Sequence, residues 1–376
     1  MKIKKTIKKN KIFIIMIICI VIYTIMSPGI EMVSIEDMDI PSGVGYDVIR
    51  NSQGEILYSI PINVYIFGQQ EKIQQFLRIG VERSLTLTRK NRQTKSNRKF
   101  ILGLEKIILL SEEFAEMGIR GLADVFVKNP DVNDIGLMAV CKGKTEDFLR
   151  LNIEGYAASS DFIEGMIENS KNNNFFSNKY KFIDAVVRID AEGRNLVLPY
   201  MEIIGEMPHI TGTAVFSKDK MIAKLDMYEA RTMNLLRENK VKGLIWLEGE
   251  NEENINFQGK SKRKVKCRKI GDRYVFTIDL TLKGEIVEND MYEGLDKNPE
   301  VLKKLEEDLA IKLKGVCNEF INKMQQEYGR DFIELGWIGA AKYGRGKGIN
   351  WDEKVSKAII EVNTKVKIDR LGRGKY

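Results

Sequence analysis

Apolar side chains concentrate first in residues 12–26, where Tyr23 and Thr24 are the only polar positions. As a helix that run measures about 22 Å, short of the roughly 30 Å hydrocarbon core of a bilayer. Continuing through Ser27-Pro28-Gly29-Ile30 brings it near spanning length. No later segment is apolar enough to span, and the pattern becomes that of a folded body. Residues 45–50 and 56–67, the second interrupted by Pro61, flank the polar Asn51-Ser52-Gln53-Gly54 and predict a hairpin. Residues 71–90 are helical in composition. Residues 106–110 form a short apolar run, after which Ser111 caps a helix whose Glu112 and Glu113 suit its positive N-terminal end. Phe114, Met117, Leu122, Val125 and Phe126 give helical faces broken at Gly118, and Asn129-Pro130 ends the segment. Residues 135–141 are a second apolar run. Strand, helix and strand in that order predict a crossover with adjacent parallel strands. Residues 145–151 read as a short helix, and residues 171–174 as a polar break within a helix pair.

The second half is richer in strands. Residues 213–216, a turn at Lys218-Asp219-Lys220 and residues 221–225 predict a hairpin, residues 228–238 a short helix and residues 241–247 a strand. Tyr274, Phe276, Ile278, Leu280 and Leu282 alternate with smaller or polar residues, as in a strand with one buried face. Asn298-Pro299 opens the longest helix, with Leu302, Leu305, Leu309, Leu313, Val316, Phe320 and Met324 in one stripe at steps of three and four. Val362, Thr364, Val366 and Ile368 alternate with polar residues as a half-exposed terminal strand. The fold class is α+β, a multi-domain body with mixed sheets and packed helices. Residues 1–30 are assigned to a signal or membrane anchor. Residues 31–205 form an N-terminal region, and residues 206–376 a C-terminal domain whose mainly antiparallel sheet is covered by the long helix.

Charge sharpens this picture. The 376-residue chain carries 60 Lys and Arg against 53 Asp and Glu, a net +7. Lys2, Lys4, Lys5, Lys8, Lys9 and Lys11 contribute +6 and the last twelve residues +4, leaving −3 for residues 12–364. Lysines before an apolar run orient it with the N-terminus cytoplasmic and the body exported. The basic residues from Arg89 to Lys99 read as a solvated helix end and loop. Four acids in 248–253 and seven basic groups in 260–269 invite pairing across a ladder.

Candidate chemistry is sparse. Cys141, Cys267 and Cys317 have no C-x-x-C spacing and read as small buried hydrophobes. His209 is the only histidine and, beside Pro208, reads as a loop or packing residue. Gly344-Arg345-Gly346-Lys347-Gly348 lacks the Ser/Thr of a phosphate loop and reads as a basic flexible loop. No catalytic, cofactor-binding or metal-binding residue is assigned, and no cofactor or nucleic-acid partner is expected.

The order of the segments resembles the Ger(x)C family of spore germination proteins. Ser96-Asn97-Arg98-Lys99 through Ser111-Glu112-Glu113-Phe114-Ala115 and Gly118-Ile119, Lys128-Asn129-Pro130-Asp131, and Cys141-Lys142-Gly143-Lys144-Thr145 with Asp147 and Leu149 are similar to its N-terminal blocks. Leu198-Pro199, Gly212-Thr213-Ala214-Val215-Phe216, Lys220-Met221, Leu225-Asp226, Asp331-Phe332, Gly336, Trp351 and residues 362–368 resemble its later ones. The resemblance implies a non-enzymatic C subunit of a nutrient germinant receptor on the outer face of the spore inner membrane. Its partners would be an A subunit, a permease-like B subunit and membrane lipid. Members usually carry a lipidated cysteine. Here Cys19 lies inside the apolar run after Ile17-Ile18, a poor lipobox match, so no lipidation is expected and the apolar segment itself would be the anchor. The alternatives are a membrane-tethered solute-binding protein of a transporter and an extracytoplasmic hydrolase built on His209 or on a carboxylate pair in a deep pocket. Freed of residues 1–30, the body is expected to be soluble and to lack nanomolar DNA affinity; a salt-sensitive nanomolar complex would overturn that reading.

Overall fold

The structure is a computed structural model that describes residues 13–24, 34–67, 73–129, 132–248 and 254–371. It divides into two compact units, residues 1–38 and 39–376. The first contains helix α1 (13–24), exposed along its whole length, and a short 3-10 turn at Ile35–Asp37. Among the described residues no helix is long and apolar enough to cross a membrane. The expected membrane segment is therefore not supported by α1, which covers only part of the apolar run. Residues 1–12 and 25–30 of the expected anchor lie outside the described residues.

In the body, β1 (Met38–Arg50), β2 (Ile56–Phe67) and β3 (Ile73–Glu82) form an antiparallel meander. The first hairpin turns at Asn51, whose Oδ1 accepts from Gln53 and Glu55 N–H. The helix expected over 71–90 is corrected here. Residues 73–82 are strand, and only Leu85–Gln93 is helical (α2). Hydrogen bonds from β2 override a helical composition, as tertiary context does to a weak local preference. The basic stretch that follows is not wholly solvated either, because Arg92 lies against Thr88 Oγ1 at 3.3 Å and Ile60 O at 3.4 Å. A short strand β4 (Lys99–Phe100) also pairs with β1.

The centre of the sheet is parallel. β5 (Ile107–Ser111) pairs with β1 and with β6 (Leu137–Cys141), and every residue of β5 and β6 is buried. Continuous apolar runs suit strands covered on both faces. Between them run α3 (Glu112–Met117), capped by Ser111 Oγ, and α4 (Arg120–Val127), the crossover that the sequence predicts. α5 (Thr145–Arg150) begins beside β1, where buried Asp47 accepts from Thr145 N at 2.7 Å and Glu146 N at 3.2 Å. α6 (Ser159–Ser170) and α7 (Phe182–Ile189) flank the polar break. β7 (Val197–Ile204), parallel to β6, then leads into antiparallel β8 (Met207–Ser217) and β9 (Lys220–Asp226). The nine described strands run β3-β2-β1-β5-β6-β7-β8-β9, with β4 off that path. Residue 205 falls in the β7–β8 turn, inside this continuous sheet.

α8 (Met227–Arg237) starts with a capping box in which Asp226 accepts from Glu229 N–H. The second sheet has the order β10 (Lys242–Glu248), β11 (Asn254–Ile270), β12 (Arg273–Asn289) and β13 (Ile359–Arg370). It is antiparallel except for the parallel β12–β13 pair. α9 (Pro299–Lys323) packs along β13 and buries Leu305, Leu309, Leu313 and Phe320 of the predicted stripe. Its last turn is a π-turn, Met324–Tyr328. α10 (Leu335–Tyr343) and α11 (Trp351–Ser356) complete the layer. Of the four acids in 248–253 expected to pair with the 260–269 bases, only Glu248 lies among the described residues. Register sets Glu248 opposite Asn254 and Lys242 opposite Lys260. Among the described residues, carboxylates that reach the bases of β11 include Asp279 on β12, Glu361 on β13 and Asp272 in the turn between β11 and β12.

The buried apolar core runs from Val44 to Val366, all within the body, which therefore holds what it needs to fold on its own. The N-cap of α9 offers a test of that packing. Asn298 Oδ1 accepts from Glu300 N–H at 2.9 Å. Asn298→Ala should cost about 1 kcal/mol in chemical denaturation. Leu309→Ala, at a fully buried stripe position, should cost about 2–5 kcal/mol.

Candidate functional site

The turn 190–195 meets the loop 329–334 and the stretch 344–352, more than 130 positions further on, beside α7 and α10. They frame a polar cleft of about 590 Å³ whose walls include Arg120, Asp190, Glu192, Arg194, Arg330 and Asp352. Arg194 and Asn195 of its wall also belong to a buried charge cluster. Arg237, at the end of α8, has a side chain with no exposure; it donates to Glu334 Oε1 at 2.7 Å, Phe332 O at 2.9 Å and Asn195 O at 2.7 Å. Arg188 and Arg194 lie 3.4 and 3.7 Å from the same carboxylate. Burial opposes the Glu334 charge, but Arg237, Arg194 and Arg188 together hold its carboxyl below the usual range. Arg263 from β11 reaches the loop from the other sheet and donates to Ile333 O at 3.0 Å. Burial pulls Arg263 down to about 10.

Asp331 organises the loop from within. Its carboxylate accepts from Ile333 N at 3.1 Å and Gly336 N at 2.6 Å, so it caps the start of α10. Burial pushes Asp331 up to about 6 against those bonds, and Asp352 nearby adds to the rise. Asp352 accepts from Asp331 N, Asn195 Nδ2 and Arg330, which joins α11 to the same loop. Backbones approach closely here. A Cβ on Gly193, at φ +70°, would stand 2.3 Å from the Gly336 carbonyl carbon. A Cβ on Gly339 would stand 2.2 Å from the Trp351 ring. Only glycine allows both contacts.

The basic loop singled out in the sequence forms the rim. Glu192 accepts from Gly346 N at 2.7 Å and from Trp351 Nε1 at 3.1 Å, pinning it down. The guanidinium carbons of Arg194 and Arg345 lie 4.1 and 3.7 Å from the Trp337 ring centroid, within cation–π range. Across the cleft, Arg120 holds Asp190 at 2.6 Å and Arg330 holds Asp352 at 3.1 Å. Such paired charges and hydrogen-bonding groups suit recognition of a polar partner surface.

The other residues of the sequence reading lie elsewhere. His209 sits on β8 rather than in a loop, exposed and opposite Glu202 on β7. Lys224, Lys142 and Thr211 engage Glu202 and hold it down to about 2. Cys141, Cys267 and Cys317 are buried, and burial pushes the Cys317 thiol up to about 12. Cys19 is exposed on α1. Among the described residues, no group of three His, Cys, Asp or Glu could hold a metal ion. A second cavity, of about 330 Å³, lies over β1 and β2 and is lined by Tyr46, Arg92 and Glu105 among apolar neighbours. Burial lowers Arg92 to about 10 and raises Glu105.

The cluster around Glu334 is not visible in the sequence, since Glu334 stands 97 positions from Arg237 and 146 from Arg188. One signal points at it: Asp331, Gly336 and Trp351, quoted above as separate motif residues, come together here, with Gly336 against both of the others. The profile of "Spore germination protein N-terminal domain" matches residues 31–203, and that of "Spore germination B3/ GerAC like, C-terminal" matches residues 211–372. The chain belongs to the Ger(x)C family. It is 22% identical over 341 residues to the spore germination protein GerQC of Bacillus cereus, covering 90% of this chain and 93% of that one. Its mixed α+β architecture is similar to the crystal structure of the GerBC protein, with a TM-score of 0.55 at 16% identity over 88% of this chain and 99% of that one.

Glu334→Gln leaves the buried Arg237 without its counter-charge and should cost about 3–5 kcal/mol. The Glu334 carboxyl is depressed in the folded state, so its contribution is full above the unfolded glutamate pKa and is lost as pH falls through the folded value. Denaturation midpoints of wild type and variant should therefore converge below about pH 4; a gap that stays constant would refute the pair's role.

Proposed function

We propose that this Ger(x)C protein is the C subunit of a nutrient germinant receptor. It acts without catalysis, held at the outer face of the spore inner membrane by its N-terminal segment, where its body supports assembly or signalling of an A subunit and a permease-like B subunit. The observation that carries the reading is the pair of family matches, which together cover almost all of residues 31–372. They follow a lysine-rich and then apolar N-terminus. A tether of that kind raises the effective concentration of the body near membrane-embedded partners without adding any contact. The polar cleft, with its paired charges, is the region offered to those partners.

The cavity holding Arg92 and Glu105 favours a second reading, a tethered solute-binding protein. A thermal-shift screen against amino acids and sugars separates the two: no saturable shift is expected, and one of several degrees would favour the binder. For the main reading, deletion of the chain should abolish germinant response and deplete the A and B subunits from spore membranes. Full assembly and response in its absence would sink the proposal. Mass spectrometry of the mature N-terminus should find residues 1–30 intact and unacylated.

A further inference from the structure

The four-stranded sheet has one face under α9 and one open to solvent. Along β11 the odd positions from Ile255 to Cys267 point inward, whereas Lys260, Lys262, Lys264, Lys266 and Arg268 are exposed. Register extends this pattern across the whole sheet. Lys242 on β10 is paired with Lys260 on β11, Lys260 with Lys283 on β12, and Lys283 with Lys367 on β13. Four lysines thus lie in one cross-strand row, about 14 Å wide at the ordinary strand spacing. Lys262 and Lys365 flank Thr281 in the adjoining row. From Lys260 to Arg268 the basic field continues about 27 Å along the strand.

Acids on this face are fewer. Asp279 reaches Lys266 at 3.8 Å, Glu361 reaches Arg268 at 3.7 Å and Asp369 reaches Lys283 at 3.3 Å. Glu285 lies opposite Gln258, beside the row. Among the described residues, Lys242, Lys260, Lys262, Lys264, Lys365 and Lys367 make no ion pair. Like charges directly opposite on neighbouring strands repel, so the row weakens the sheet it decorates. A hollow of about 260 Å³ opens beside it, lined by Lys242, Lys260, Lys283, Gly259 and Gly284. Charge retained against stability across several strands is what an extended anionic surface rewards.

We propose that the open face of the second sheet is a contact surface for anionic phospholipid headgroups, seating the body flat on the membrane that its N-terminal segment addresses. The occupant follows from shape and charge. The cations form a row about 14 Å wide across four strands and a line about 27 Å long down β11, an extended array that suits the many phosphates of a bilayer surface better than the single ridge of a duplex. Juxtamembrane lysines contribute to such binding additively and lose it within a Debye length as salt rises. The proposal rests on the membrane-tethered reading above, but the surface is testable without the tether.

The test uses the body, residues 39–376, which contains the whole apolar core. Co-sedimentation is measured with vesicles of phosphatidylglycerol and phosphatidylcholine, with vesicles of phosphatidylcholine alone, and with duplex DNA in competition. The body should bind the anionic vesicles, lose at least tenfold in affinity between 50 and 300 mM salt, and leave the neutral vesicles free. The triple variant Lys260→Thr, Lys283→Thr, Lys367→Thr should lose binding at least tenfold while its Tm rises, because repulsion is relieved. A Lys90→Thr, Lys95→Thr control on α2 and the loop after it should bind as wild type. Equal binding by wild type and triple variant, or none by either, overturns the proposal, as does DNA displacing the vesicles at nanomolar concentration. Detergent partition of the full chain tests the tether separately, so failure of one claim does not mask failure of the other.

Discussion

The pairing of Glu334 with Arg237 is the constraint on which the body depends. A guanidinium with no exposure is expensive to bury, and its cost is offset only when the counter-charge and the carbonyls of Phe332 and Asn195 are all in place. These partners come from α8, from the residues just before β7 and from the loop before α10. Arg263 adds β11 from the second sheet. A single carboxylate in a left-handed backbone conformation, φ 57°, thus fixes where two sheets meet. Apolar packing supplies most of the stabilisation, but it is non-directional. The charge cluster is directional and sets the register of one half against the other.

The polar cleft is built around that junction. Arg194 and Asn195 line the polar cleft and also touch the buried cluster, Gly348 lines it at the end of the basic loop, and Trp337 lies under the guanidinium groups of Arg194 and Arg345. Surfaces that recognise partners gain from being rigid before contact, since less ordering remains to be done on binding. The close approaches at Gly193 and Gly339 serve the same end, because they lock the turn, α10 and α11 into one unit.

Much of this order is legible in the sequence, for reasons that differ by element. α9 is clear because one stripe of leucines persists through many turns, and β12 because five apolar residues alternate without a break. The crossover from β5 to β6 is clear because its strands are buried on both faces. β3 misleads, since Gln74, Gln75 and Arg78 suit a helix and only the neighbouring β2 makes them a strand. The charge cluster and the lysine row are hidden for another reason. Both depend on which distant residues face each other, and register is not written in composition.

The parallel pairing of β13 with β12 also has a consequence in time. Antiparallel neighbours joined by a tight turn zip locally, but β13 finds its place only after residues 290–358 have crossed over the sheet and α9 has docked. Contacts of such sequence separation form late, because the entropy of closing the loop is paid before any reward. The lysine row needs all four strands, so it is among the last features of the molecule to exist. A chain still folding therefore lacks the complete basic face, and only a finished body presents it.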